Sequence, residues 1–151
     1  MLYSIIFGVK KAIETIDLKL LHQFFPAELI SSFDIVGTET LCSIETKSEY
    51  LVIDFIEKNI LPFGLSVVNY ECKDFTEGKL IQDFPLRGKA VFLNIKKRRW
   101  RDKDTKQIVK SDFSFMAEGS KFTQELSDFL KDAGGYATRY HEQHSKLLSG
   151  E

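Results

Sequence analysis

The spacing of apolar residues along this chain is helical at first, switches to strict alternation near residue 40, and becomes helical again after residue 119. Leu18, Leu21, Phe24 and Phe25 fall on one helical face, and "FPAELISSF" opens a second helix. Pro26 suits the first helical turn, where its missing N–H is not needed, and Glu28 complements the positive helix start. Leu29, Ile30 and Phe33 are then expected in the core, with Gly37 as the stop. The pattern predicts a helical segment over 12–36.

From residue 40 the period is two, as in half-buried strands whose successive side chains point to opposite faces. "TLCSIET" alternates Cys42 and Ile44 against Ser43 and Glu45, "TKSE" makes a turn, and "YLVIDFI" is a β-branched and aromatic strand. Pro62 and Gly64 break the chain before a third strand, in which Val68, Tyr70 and Cys72 alternate with Asn69, Glu71 and Lys73. Pro85 and Gly88 punctuate a turn ahead of the longest expected strand, which has Val91, Leu93 and Ile95 on one face and Phe92 and Asn94 on the other. Continued alternation puts Lys97, Arg99 and Arg101 on the first face and Lys96, Arg98 and Trp100 on the second. Both faces turn basic at Lys96, so the strand is expected to leave the core there and project. "DKDTK" is then its turn and "QIVKSDFSFMA" its return. After Gly119, Phe122, Leu126, Phe129 and Leu130 recur at helical spacing, closed by Gly134 and Gly135.

These elements predict a single α+β domain over 1–132. It has N-terminal helices, an antiparallel sheet of about five strands over 40–116 with a projecting basic hairpin, and a C-terminal helix over 120–132. A polar tail over 133–151 has room for one more short helix.

Composition adds one thing to this picture. With 43% hydrophobic and 28% charged residues the chain is ordinary, and its net charge of −1 is uninformative. The distribution is not: residues 1–78 carry 6 basic and 12 acidic side chains, whereas residues 79–110 carry 11 basic and 3 acidic. Eight of the 21 Lys and Arg residues lie in "NIKKRRWRDKDTKQIVKS", residues 94–111, together with the only tryptophan.

Several classes are disfavoured. Cys42 and Cys72 have no C-x-x-C spacing, which argues against a disulfide scaffold and a zinc ribbon and suits a reducing cytoplasm. The apolar run Leu2–Val9 is far short of the roughly 20 residues that span a bilayer, so neither signal peptide nor membrane anchor is expected. There is no Gly-rich phosphate loop, H-E-x-x-H or G-x-S-x-G motif. Asp102 and Asp104 read as solubilising turn residues rather than magnesium ligands, and His141 and His144 as surface histidines. Cys72, on the apolar face of a strand, reads as a buried, inert thiol. No catalytic residue, metal or cofactor is expected.

The basic hairpin remains. Lys and Arg neutralise phosphates, an attraction that weakens with salt, and a two-stranded ribbon fits the major groove, where Arg can read guanine edges. Trp100 could stack on an unpaired base. On the opposite reading, Trp100 packs under the hairpin and the lysines only keep an edge strand from aggregating. The candidate nucleic-acid-binding residues are Arg87, Lys89, Lys96, Lys97, Arg98, Arg99, Trp100, Arg101, Lys103, Lys106 and Lys110.

Residues 81–130 resemble the N-terminal region of bacterial insertion-sequence transposases. The shared pattern is an Asp-x-Pro turn, a Gly-Lys lead into an apolar strand ending in Arg-Arg-aromatic, a short turn and return strand, and a small-residue and Thr opening to a helix. Here it falls on Asp83, Pro85, Gly88, Lys89, Arg98, Arg99, Trp100, Gly119, Ser120 and Thr123. Better-known relatives carry zinc-ribbon cysteines where Asp102 and Thr105 stand, so the resemblance is to a split type in which the metal is lost. It implies a short DNA-binding chain with no catalytic carboxylate triad, recognising the double-stranded ends of the element for a separately encoded catalytic transposase polypeptide. The alternative is a protein-interaction module that docks on that polypeptide or associates with itself as a homodimer.

Overall fold

The computed structural model describes residues 18–134, which form an α+β structure of three helices and seven strands. Helix α1 covers 18–24 of the described chain, α2 is Ala27–Ser32 and α3 is 124–134. The strands are β1 (Phe33–Cys42), β2 (Glu49–Glu57), β3 (Tyr70–Phe75), β4 (Lys79–Leu86), β5 (Lys89–Lys96), β6 (Arg98–Asp102) and β7 (Ile108–Val109). They form a four-stranded sheet in the order β1-β2-β5-β4 and a three-stranded sheet in the order β3-β6-β7. The expected start of the helical segment at 12–17 and nearly all of the polar tail lie outside the described residues. No described helix is long and apolar enough to cross a membrane.

Several boundaries differ from the sequence reading. β1 begins at Phe33, so Phe33–Val36 are strand rather than helix and Gly37 stops nothing. The β-branched residues Ile35, Val36, Thr38 and Thr40 favour the extended backbone over a helix that would have to run into a glycine. Gly37 is instead a place of close approach, because a Cβ there would lie 3.1 Å from Oδ2 of Asp54. β4 is an additional strand. Its turn with β5 is Arg87–Gly88, with positive φ at both residues (50° and 77°), the backbone of a tight type I′ hairpin. Pro85 lies inside β4, at the edge of its sheet, where a missing N–H is tolerated. The long basic strand is two strands, broken at Lys97, and β7 keeps only two residues of the expected return.

The described chain divides into two compact units, and β1, β2 and β5 give residues to both. One unit takes residues 18–37, 54–78 and 95–113 of the described chain. Its buried set is Leu29, Ile30, Phe33, Phe55, Ile95 and Trp100. The Phe25 ring meets Phe55 edge-on at 5.9 Å, and Phe33 meets Phe113 at 4.9 Å. This unit holds the three-stranded sheet. Glu28 lies in the first turn of α2, as expected from the sequence, and Pro26 is the N-cap just before that turn rather than within it.

The other unit takes 38–53, 79–94 and 114–134. Its buried residues include Ile53, Ile81, Val91, Leu93, Phe115 and Leu126. Val91 and Leu93, fully buried, share the face that alternation assigned to them. In α3 only Leu126 of the predicted apolar stripe is buried, while Phe129 and Leu130 are largely exposed. Thr123 caps α3, its Oγ1 accepting the Leu126 N–H at 3.4 Å and donating to Oδ1 of the buried Asp83 at 2.9 Å. Two residues of the transposase-like pattern, 40 positions apart, are thus one hydrogen-bonded pair. Burial pushes the Asp83 carboxyl above the ordinary aspartate range, against the opposing bonds from the Phe84 N–H and the Thr123 hydroxyl.

Candidate nucleic-acid interface

The basic stretch is the central strand of the three-stranded sheet rather than a free projection. β6 pairs antiparallel with β3 on one side and β7 on the other. Direct partners are Tyr70 and Asp102, Glu71 and Arg101, Cys72 and Trp100, Asp74 and Arg99, and Phe75 and Arg98. An acidic strand therefore lies register-matched along a basic one, and opposite charges placed directly across a sheet stabilise the pairing.

Alternation sends the side chains of β6 to two different environments. Trp100 points inward and is 4% exposed. It packs as a core residue and cannot stack on a base. Its Nε1–H, fully enclosed, meets no hydrogen-bond acceptor among the described residues. Arg98, on the same side, is fixed four ways. Its backbone N–H donates to Oε2 of Glu57 at 2.7 Å, and its Nε to the Glu57 carbonyl at 2.9 Å. Its Nη1 donates to the Cys72 sulfur at 3.3 Å, and its guanidinium lies 4.7 Å from the centre of the Phe75 ring. Glu57 is itself 3% exposed, so Arg98 serves the fold first.

Arg99 and Arg101 take the other side. Arg99 forms a two-pronged fork with Asp74, Nε to Oδ1 and Nη2 to Oδ2. Arg101 places both Nε, at 2.9 Å, and Nη2 on Oε1 of Glu71. Their guanidiniums hold both carboxyls below the ordinary carboxylate range, and the hydrogen bonds that Arg99 donates to Asp74 raise Arg99 above its ordinary value. Lys97 is also occupied: its Nζ donates to the Ser111 carbonyl at 2.6 Å, lies 4.0 Å from the Asp112 carboxylate, and sits 5.8 Å from the centre of the Phe113 ring.

The exposed cations of the basic stretch are lysines. Lys96, Lys103, Lys106 and Lys110 are all solvent-facing, and no carboxylate ion-pairs with them among the described residues. The turn that carries two of them is rigidly built. Oδ1 of Asp102 accepts the N–H groups of Asp104 and Thr105, which holds the Asp102 carboxyl below its ordinary range, and Lys106 takes the left-handed conformation at φ 63°. The Lys103 N–H and Nζ donate to the carbonyls of Asn69 and Val67, fastening this turn to the end of the preceding loop. Arg87 and Lys89 belong to the other unit: Arg87 is exposed in the β4–β5 turn, and Lys89 forms a surface ion pair with Glu49 at 2.9 Å.

Other candidate chemistry is thin. Cys72 is exposed, not buried as the alternation suggested, because β3 is an outer strand. Among the described residues no three His, Cys, Asp or Glu side chains are grouped to hold a metal. His141 and His144 lie outside the described residues.

The residues missed by sequence reasoning are Glu57, Glu71, Asp74 and Phe75, which occupy the arginines. The available signal was the two acids in "YECKDF" as candidate partners for "RRWR", but they are three residues apart and Arg99 and Arg101 two, so the match appears only with the irregularity between Cys72 and Asp74. No protein-family model, curated protein or solved structure matches this chain.

Proposed function

We propose that this chain is a non-catalytic DNA-binding component of a bacterial insertion-sequence transposase. It acts in the cytoplasm on the double-stranded ends of the element, for a catalytic polypeptide encoded separately. The observation that carries the reading is the group of exposed lysines, Lys96, Lys103, Lys106 and Lys110, around a hairpin fixed by β3. Lysines on a rigid ribbon suit phosphate contacts, which position a protein on DNA without reading its sequence. The test is duplex binding by the wild-type chain and by a variant with all four lysines changed to Glu, with circular dichroism to confirm folding. The reading expects salt-sensitive binding by the wild type, abolished in the folded variant. Equal binding by both would refute it.

A second reading, docking on the catalytic polypeptide or on a second copy, has its own observation. The loop between β2 and β3 exposes Ile60, Phe63, Val67 and Val68, and Phe63 is entirely uncovered at a tight turn. Exposed apolar groups of this kind mark protein interaction surfaces. Co-purification that survives high salt and is lost on Phe63→Ser, without any shift of DNA, would favour it.

A further inference from the structure

We infer that Glu71 and Asp74 are built-in competitors for DNA phosphate, holding Arg99 and Arg101 in a self-neutralised ladder that must open before the whole basic strand can grip. The inference rests on the DNA-binding reading above and concerns how that same surface is regulated.

The strand geometry carries it. Glu71 and Asp74 are three residues apart, and in a regular strand that odd spacing would send them to opposite faces. β3 is irregular between Cys72 and Asp74, where Lys73 is skipped in the register. This extra residue returns Asp74 to the face of Glu71, so that the two acids stand directly across from Arg99 and Arg101. A bulge placed there positions the second carboxylate; without it Lys73, a like charge, would face Arg99.

The chemistry makes the carboxylates effective stand-ins for phosphate. A guanidinium fork accepts a carboxylate or a phosphate in the same planar, two-pronged way. The four side chains are 35–40% exposed, so solvent and ligand can reach the ladder. Exposed pairs of this kind are weak enough to exchange partners. Arg98 differs, because its partner Glu57 is buried and its guanidinium lies over Phe75. The ladder is therefore the exchangeable part of the basic strand, and Arg98 the fixed part.

The test is fluorescence anisotropy of a labelled 30-base-pair duplex over a range of salt. It compares the wild type with Glu71→Gln/Asp74→Asn and with a control of the same net charge, Asp34→Asn/Glu77→Gln, which alters exposed acids outside the ladder. The ladder variant is expected to bind on the order of tenfold tighter than the control at low salt. Its plot of log affinity against log salt should steepen by about 1.8, at about 0.9 for each additional phosphate contact. Asp74→Asn alone should give about half of that change and carries the test if the double variant does not fold. A ladder variant that matches the control, or binds more weakly, overturns the inference while leaving salt-dependent wild-type binding intact. Absence of binding by every variant and by the wild type overturns both the inference and the DNA-binding reading.

Discussion

Trp100 is where the sequence allowed two opposite roles, and its replacement separates them. At 4% exposure nearly the whole indole is removed from water, so Trp100→Ala should lose about 3–5 kcal/mol of stability, the range for large aromatic truncations in a packed core. With a urea slope near 2 kcal/mol/M, that moves the unfolding midpoint down by roughly 2 M. Trp100→Phe should behave quite differently. The smaller ring gives up about one or two methylene equivalents of burial, ~0.8 kcal/mol each. It also removes an enclosed N–H that meets no acceptor among the described residues, a group that costs about 1–3 kcal/mol when left unpaired. The two effects nearly cancel, and the Phe variant should unfold within about 1 kcal/mol of the wild type. The assay is urea unfolding followed by far-UV circular dichroism, because both variants lack the only tryptophan, with duplex binding measured alongside. An Ala variant of unchanged stability that had lost DNA binding would refute the core assignment and restore the stacking role.

Two further outcomes follow from named contacts. Arg98→Glu removes the Nε–H donor from the Glu57 carbonyl and the cation from the Phe75 ring, and adds a second carboxylate beside the buried Glu57, so the variant should lose at least about 1–3 kcal/mol of stability. Its melting curve checks this, and a stable fold would mean that Arg98 is a surface cation after all. For Asp83 the sign is set by its raised carboxyl: the folded chain holds the proton more tightly than the unfolded one. Its stabilising contribution is therefore complete below the ordinary aspartate value, about 3.9, and lost as pH rises through the folded value. Asp83→Asn keeps an acceptor for Thr123 without the buried charge. Urea midpoints from pH 4 to 8 should show it matching or exceeding the wild type at neutral pH, with the opposite order excluding burial as the dominant influence on this group.

What was legible in the sequence was local. Val91, Leu93 and Ile95 announce β5 because each residue's partners repeat at the same short period, and the turn at Gly88 follows from a conformation that few other residues share. Pro26 and Glu28 mark α2 in the same way. β4 was hidden because its inward positions include Asp83 and its sequence contains Pro85, both of which read as loop until the Thr123 partner and the sheet edge are known. Phe33 fitted the helical stripe as well as it fits the first position of β1, and only the pairing of the chain beyond it decides. The basic stretch was the largest departure. Its cations were plain to read, but their partners lie 25 to 41 residues away, from Asp74 to Glu57, and charge counting along the chain cannot show that they are already engaged. Burial of Trp100 between flanking arginines likewise becomes visible only once pairing with β3 and β7 places β6 in a sheet with one face turned inward.

The most direct measurement is the salt dependence of duplex binding by the intact wild-type chain. Four exposed lysines and a closed arginine ladder predict a linear fall of log affinity with log salt, with a slope of about −3.6, at about 0.9 for each phosphate neutralised. No binding at low salt, or binding that salt does not weaken, would contradict the account.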